Sequence, residues 1–129
     1  MKTTDSTWNR PEGARVLDAP YVVTDISTAL QQLQHETGWE QTDCNGITLF
    51  KTDNLTTVLI CMHTGSRIGE NSIVGTVTLQ IMEGEMELTA DEEVVTLHAG
   101  QIVMLHHEVT HSILATEETV LVLTNHVCC

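Results

Sequence analysis

The feature that most constrains this chain's fold is a succession of eight short β-rich runs that begins at residue 46. Most are rich in Val, Ile, Leu and Thr, and turn-forming residues such as Asn, Asp and Gly separate them. The runs are GITLFK, LTTVLICMH, VTLQIME, EMELTA, EVVTLH, QIVMLH, THSILAT and TVLVLTNHV. Because no helical crossover lies between them, they predict antiparallel sheets arranged as a sandwich, barrel or jelly roll.

The segment before these runs contains a tail and a helix signal. Residues 1–20 are polar, include both prolines and show no period, so they predict an N-terminal arm. From Thr24, apolar residues recur at helical spacing, which predicts one short helix at roughly 26–36, with Gly38 as the stop. The sequence therefore predicts an arm over 1–20 and one β-barrel domain over 21–129.

The length of 129 residues fits one domain, and the charge limits the partners. Five Lys and Arg against 18 Asp and Glu give a net charge of −13, which disfavours nucleic acid and anionic membranes. No apolar stretch approaches the roughly 20 residues of a membrane span, so we expect a cytoplasmic protein. The four cysteines form no CxxC pair, and the adjacent Cys128 and Cys129 are assigned no role.

Two glycine-bounded segments carry a family resemblance. GSRIGENSIVGTVTLQIMEG runs from Gly65 to Gly84, and GQIVMLHHEVTHSILA runs from Gly100 to Ala115. Their spacing resembles the first (65–84) and second (100–115) motifs of the cupin superfamily, particularly the small single-domain, conserved-barrel cupins. The resemblance covers about residues 46–127 and implies an all-β, double-stranded β-helix, that is, a cupin jelly-roll (RmlC-like) barrel with one short N-terminal helix.

The resemblance also implies where metal ligands would lie. The four ligand positions of the family correspond here to Asn71, Ile73, Val77 and His111, of which only His111 keeps the family's residue type. Aliphatic side chains have no lone pairs to donate to a metal ion. The family's metal motif is therefore degenerate in this chain, and no cofactor is expected from these four positions.

A rearranged metal site is the alternative. The segment HHEVTH places His106 and His107 close to His111, and His63 ends an earlier run. If the imidazoles of His111, His106 and His63 converge, they could hold Zn, Fe, Mn or Ni, as in a metal-dependent enzyme of the dioxygenase or isomerase type. The competing interpretation is a solvent-facing polar turn, with His111 alone pointing into the barrel.

The register also predicts a ligand cavity. Val77, Leu79 and Ile81 share one strand face, so we expect them to line an apolar interior, with His111 and Asn71 as convergent polar groups at one mouth. Arg67 either binds a ligand carboxylate at the entrance or forms a surface ion pair.

These features favour a small-molecule-binding barrel of sensor or auxiliary type, without catalytic residues that the sequence identifies. Whether the chain is an enzyme stays open, and a scaffold without a small-molecule ligand is a third interpretation. Runs such as TVLVL are apolar at nearly every position, which predicts burial on both faces, against a partner sheet or another subunit. We therefore expect a homodimer.

Overall fold

The computed structural model describes residues 2–4, 15–71, 75–107 and 109–127. Two helices precede most of the strands: α1 is Ile26–His35 and α2 is Thr37–Gln41. The strands are β1 Lys2–Thr4, β2 Arg15–Asp18, β3 Cys44–Lys51, β4 Leu55–Met62, β5 Arg67–Asn71, β6 Thr76–Glu83, β7 Glu85–Ala90, β8 Glu93–His98, β9 Ile102–Leu105, β10 His111–Ala115 and β11 Thr119–His126.

The strands form two larger sheets that enclose a common core. One has four strands in the order β5-β10-β7-β8, and the other has five in the order β3-β4-β11-β6-β9. All neighbouring strands within them are antiparallel. This arrangement confirms the predicted all-β jelly roll. Each of the eight predicted runs corresponds to one of the strands β3 to β11, and only β5 has no predicted run.

Alternation along the strands fills the space between the sheets with aliphatic side chains. The fully buried members of this core, all less than 9% exposed, come from β4, β6, β7, β8, β9, β10 and β11: Met62, Val77, Leu79, Ile81, Met86, Leu88, Leu97, Leu105, Ile113, Ala115 and Leu121. Burying this apolar surface is the main stabilising contribution to the fold.

Helix α1 covers part of the outside of the five-stranded sheet. Asp25 caps its N-terminus, because the Asp25 carboxylate accepts a hydrogen bond from the Thr28 backbone N–H at 3.0 Å. Its apolar face, with Ala29 and Leu33 buried, packs in a second cluster with Ile47, Leu59, Cys61 and Val120. The strands behind the helix are thus buried on both faces, which explains their nearly continuous apolar sequence.

The N-terminal segment differs from its prediction in two details. Helix α1 ends because Glu36 is extended, with ψ 150°, and α2 then starts at Thr37, so Gly38 lies inside a helix rather than stopping one. In the predicted arm, β1 and β2 pair with each other, and Leu17 is buried. None of the helices that the described residues form is long and apolar enough to cross a membrane.

The connections between strands define two ends of the barrel. Strands β5, β7 and β9 end, and strands β6, β8 and β10 begin, at one end of the barrel, which we call the mouth. The β4–β5, β6–β7, β8–β9 and β10–β11 connections meet at the opposite end, which we call the base. The positions of the candidate site residues follow from this division.

Candidate functional site

His111 is the first residue of β10 and lies at the mouth. Its side chain is on the same face of the strand as Ile113 and Ala115, which belong to the core between the sheets. The residue is only 3% exposed, and its Cα is opposite Asn71 on one neighbouring strand and Ala90 on the other. His111 therefore faces the barrel interior, next to the backbone of Asn71.

One hydrogen bond fixes which nitrogen of His111 carries a proton. Nδ1 lies 3.2 Å from the backbone oxygen of Val109. Because a carbonyl oxygen only accepts, Nδ1 is the donor, and in the neutral ring Nε2 then carries the lone pair. No residue in the described part of the chain hydrogen bonds to Nε2. In the neutral ring, the Nε2 lone pair is therefore unpaired among the described residues.

A cleft of about 550 Å³ opens at the mouth beside His111. It lies between the β7–β8 turn and the start of β10, and its described lining residues are Thr89, Asp91, Glu92, Val109, Thr110, His111 and Ser112. The described lining thus combines residues with hydroxyl, carboxylate and imidazole side chains around one space of a size that holds small organic molecules.

The other predicted ligand-contacting residues lie elsewhere. Val77, Leu79 and Ile81 are buried in the aliphatic core, and none of them is among the described lining residues of this cleft. Arg67 is exposed and begins β5 at the base, whereas Asn71 ends the same strand at the mouth. The structure thus places the backbone of Asn71 opposite that of His111 on the neighbouring strand, and it places Arg67 at the opposite end of the barrel.

The three histidines predicted as metal ligands are not brought together. His106 is exposed in the turn after β9 at the mouth, and His63 follows β4 at the base. Within the described ranges, no group of three or more His, Cys, Asp or Glu side chains is placed to hold a metal ion. Val77, at one of the family's four ligand positions, supplies no donor atom, so the described residues do not fit the family's metal centre. The side chain of Asn71, together with Ile73, Glu108, Cys128 and Cys129, lies outside what the structure describes.

His63 instead belongs to a cluster at the base. Its ring stacks on the indole of Trp39, with centroids 3.5 Å apart. Nε2 lies 2.7 Å from the Trp39 carbonyl oxygen, and Nδ1 lies 3.0 Å from Oε1 of Glu118. The other carboxylate oxygen of Glu118 accepts a hydrogen bond from the Thr64 backbone N–H at 2.6 Å. These contacts join α2 to the β4–β5 and β10–β11 connections.

The cluster shifts the titration of both ionisable groups. The hydrogen bond to the Trp39 carbonyl raises the pKa of His63 above its usual value, although partial burial opposes the shift and Glu118 reinforces it. For Glu118, burial acts in the opposite direction, but hydrogen bonds from Thr64 and His63 lower the pKa of the carboxyl group below its usual value. Both shifts favour a charged pair.

Comparison with known structures identifies this architecture. A conserved protein of unknown function from Streptococcus pyogenes is 24% identical, with a TM-score of 0.66, over 69% of this chain and 78% of that one. A cupin superfamily protein from Desulfitobacterium hafniense is 18% identical, with a TM-score of 0.65, over 66% of this chain and 78% of that one.

A cupin domain of an XRE family transcriptional regulator from Enterobacter cloacae is 19% identical, with a TM-score of 0.61, over 68% of this chain and all of that domain. No protein-family model and no curated protein matches the sequence. At these identities the likeness concerns the fold, and it agrees with the two sequence motifs. The chain has the fold of the cupin superfamily.

Proposed function

We propose that this cupin binds a small molecule in the mouth cleft, with His111 as its buried polar contact, and acts as a sensor or auxiliary domain. The observation that carries the proposal is the cleft of about 550 Å³ that has the nearly buried His111 among its lining residues. A concave site with a few fixed polar groups is typical of small-molecule binding. The cupin domain of a transcriptional regulator among the similar structures is consistent with a sensor role.

The proposal also includes the backbone neighbour of His111. Asn71 is opposite His111 in the β5–β10 register, so a ligand held by the imidazole would lie close to this residue. We propose that the buried aliphatic residues Val77, Leu79 and Ile81 contribute the apolar layer beneath the site. Of the predicted ligand contacts, Arg67 has the least support, because this exposed residue begins β5 at the base, at the opposite end of the strand from the mouth cleft.

A screen of pooled metabolites by two-dimensional NMR tests the proposal. Binding compounds are expected to shift the resonances of the residues that line the cleft, namely Thr89, Asp91, Glu92 and residues 109–112. His111→Gln, which keeps a polar side chain of similar volume, should weaken such binding, whereas His106→Gln in the exposed turn should leave it unchanged. Binding that is equally strong in both variants, or shifts confined to other regions, would contradict the proposed site.

Homodimer formation is a second part of the proposal. Met82, Ile102 and Met104 are exposed on the outer face of β6 and β9, beyond the part of the sheet that α1 covers. Exposed apolar patches on a sheet favour association. Light scattering at several protein concentrations should give twice the mass of 14.2 kDa for the native chain, and Met104→Lys should shift the mass toward the monomer. A monomeric native chain would remove this part of the proposal.

A further inference from the structure

We infer that the mouth cleft selects small organic cations, such as primary ammonium or guanidinium compounds, over carboxylates of the same shape. This inference rests on the proposed function, because it specifies the ligand chemistry of the same cleft. It depends on three features of the cleft: the acceptor state of His111, the carboxylates at the rim and the absence of a basic side chain from the described lining.

The wall of the cleft offers an acceptor. Since Nδ1 of His111 donates to the Val109 carbonyl oxygen at 3.2 Å, the neutral ring presents the Nε2 lone pair. The residue is 3% exposed and lines the cleft, so a molecule that reaches this nitrogen loses much of its contact with water. An N–H donor on the ligand satisfies Nε2, whereas a carboxylate places a second acceptor against it.

The rim of the cleft carries two carboxylates. Asp91 and Glu92 form the two-residue turn between β7 and β8, and both have positive φ angles of 51° and 67°. Glycine or asparagine is the usual choice for such turns, so two acidic side chains are kept here at some conformational cost. Neither carboxylate takes part in an ion pair or hydrogen bond between described residues. Both are free to contact a bound cation.

Nothing in the described lining favours an anion. None of the seven described lining residues is Lys or Arg, and the chain as a whole has a net charge of −13. A carboxylate entering the cleft would meet like charge, and its desolvation would have no basic partner to offset it. Hydroxyl groups of Thr89, Thr110 and Ser112 add hydrogen-bonding capacity that suits a polar cation.

An organic cation fits this set of groups better than a metal ion. A resident metal ion generally needs three or four protein ligands at short distances, and the described residues provide no such group. An ammonium or guanidinium group needs only acceptors at hydrogen-bonding distance. These acceptors, the carboxylates of the rim and the imidazole of the wall, can be farther from one another than the ligands of a metal ion.

Three probes of matched shape test the inference: benzylammonium, benzyl alcohol and benzoate. Each is titrated into the EDTA-treated protein while the ring resonances of His111 are followed by NMR. We expect benzylammonium to shift these resonances at millimolar concentration and benzoate to leave them unchanged. Asp91→Asn and Glu92→Gln should each weaken benzylammonium binding about two- to fivefold, the range of partly exposed charge contacts. Asn tolerates a positive φ, so the turn itself is retained.

The control separates local contacts from overall charge. Glu117→Gln changes the net charge by the same amount in an exposed position near the base, and it should leave benzylammonium binding unchanged. If Glu117→Gln weakens binding as much as the rim variants do, the effect is nonspecific and the inference is wrong. If benzyl alcohol or benzoate binds at His111 as tightly as benzylammonium, the cation preference is wrong while the proposed function stands. If no probe reaches His111, the inference fails, and the metabolite screen decides separately on the proposed function.

Discussion

The imidazole of His63 lies flat against the indole of Trp39, with ring planes inclined by only 20°. The same imidazole makes two polar contacts, one with the Trp39 carbonyl oxygen and one with the Glu118 carboxylate. Both partners are acceptors, and a neutral imidazole has a single N–H. Only the protonated ring satisfies both contacts, so protonation of His63 determines how firmly α2 is held to the base of the barrel.

This geometry predicts a pH-dependent contribution to stability. The pKa of His63 is raised above 6.5, so its contribution is complete below that pH and is lost as the pH rises through the folded-state value. The pKa of Glu118 is lowered below 4.5, so its contribution is present above that pH and is lost as the pH falls through the folded-state value. The pair is therefore expected to stabilise the fold most between about pH 4.5 and pH 6.5.

Urea unfolding of His63→Gln tests this prediction. The variant should lose up to about 1 kcal/mol of unfolding free energy relative to the native chain near pH 5.5, and the loss is small because solvent screens side chains that are 36% and 60% exposed. Near pH 8.5 it should lose much less, because His63 is then neutral in the native chain. His106→Gln, in an exposed turn, removes another histidine as a control and should show no such difference. An equal loss for His63→Gln at both pH values would mean that the stacking on Trp39, not the charge, stabilises the cluster.

The sequence predicted the strands well because each run combines apolar residues with a turn signal at its end. β5, with the sequence RIGEN, lay inside a predicted connection because it is polar and contains Gly69, so no apolar run marks it. It is a strand because its backbone pairs with β10. The end of α1 at Glu36 was equally hard to place, since Gly38 is the stronger local stop signal.

The candidate site was less predictable because it depends on contacts between distant segments. The motif position of His111 predicts an inward-facing side chain, and the residue is 3% exposed in the structure. His63, however, contacts residues 24 and 55 positions away, and no local pattern indicates such partners. Asp91 and Glu92 were not among the predicted site residues, because no sequence pattern shows that their turn lies beside His111.

Truncation of Leu79 measures how tightly the barrel interior is packed. The side chain is fully buried among aliphatic neighbours, so Leu79→Ala should lower the free energy of unfolding by about 3 to 5 kcal/mol. Gln80→Ala, at the exposed position next to it, should change stability by less than about 0.5 kcal/mol. A loss below about 1 kcal/mol for Leu79→Ala would show that the side chain lines open space rather than a packed core.

Metal content provides a separate check on the histidines. Protein purified without a histidine tag is expected to contain far less than one equivalent of Zn, Fe, Mn or Ni by elemental analysis, because the described residues lack a cluster of three donors. Stoichiometric metal that His111→Ala removes would contradict this expectation and support the metal-dependent alternative. His107→Ala serves as the matched control in the neighbouring exposed turn.

Cysteine labelling tests the burial of the layer beneath α1. Burial, reinforced by the nearby Cys44 and Glu36, raises the pKa of Cys61 to about 11. At pH 8 only about one thiol in a thousand would then be ionised, and the sulfur is also shielded from solvent. Iodoacetamide should therefore modify the half-buried Cys44 before Cys61 in native protein, as measured by peptide mass spectrometry. Faster labelling of Cys61 would indicate that α1 opens readily from the sheet.

Two motif glycines allow a matched test of why the β6–β7 turn requires glycine. Gly84 and Gly100 have nearly equal positive φ angles of 87° and 91°, so alanine strains the backbone at both by about 1 to 2 kcal/mol. At Gly84 an added Cβ would also clash with the Glu118 carbonyl oxygen and lie 2.9 Å from the Thr119 Cα, whereas at Gly100 it would meet nothing within 4 Å.

The clash at Gly84 involves backbone atoms that adjust only if the β10–β11 connection moves. Gly84→Ala should therefore cost about 1 to 3 kcal/mol more than Gly100→Ala in chemical denaturation. It should also disturb the base cluster, because Glu118 holds His63 from the same connection. The ring resonances of His63 are thus expected to shift in Gly84→Ala and not in Gly100→Ala. Equal stability losses with unchanged His63 resonances would mean that positive φ alone, and not close packing at the base, requires glycine at position 84.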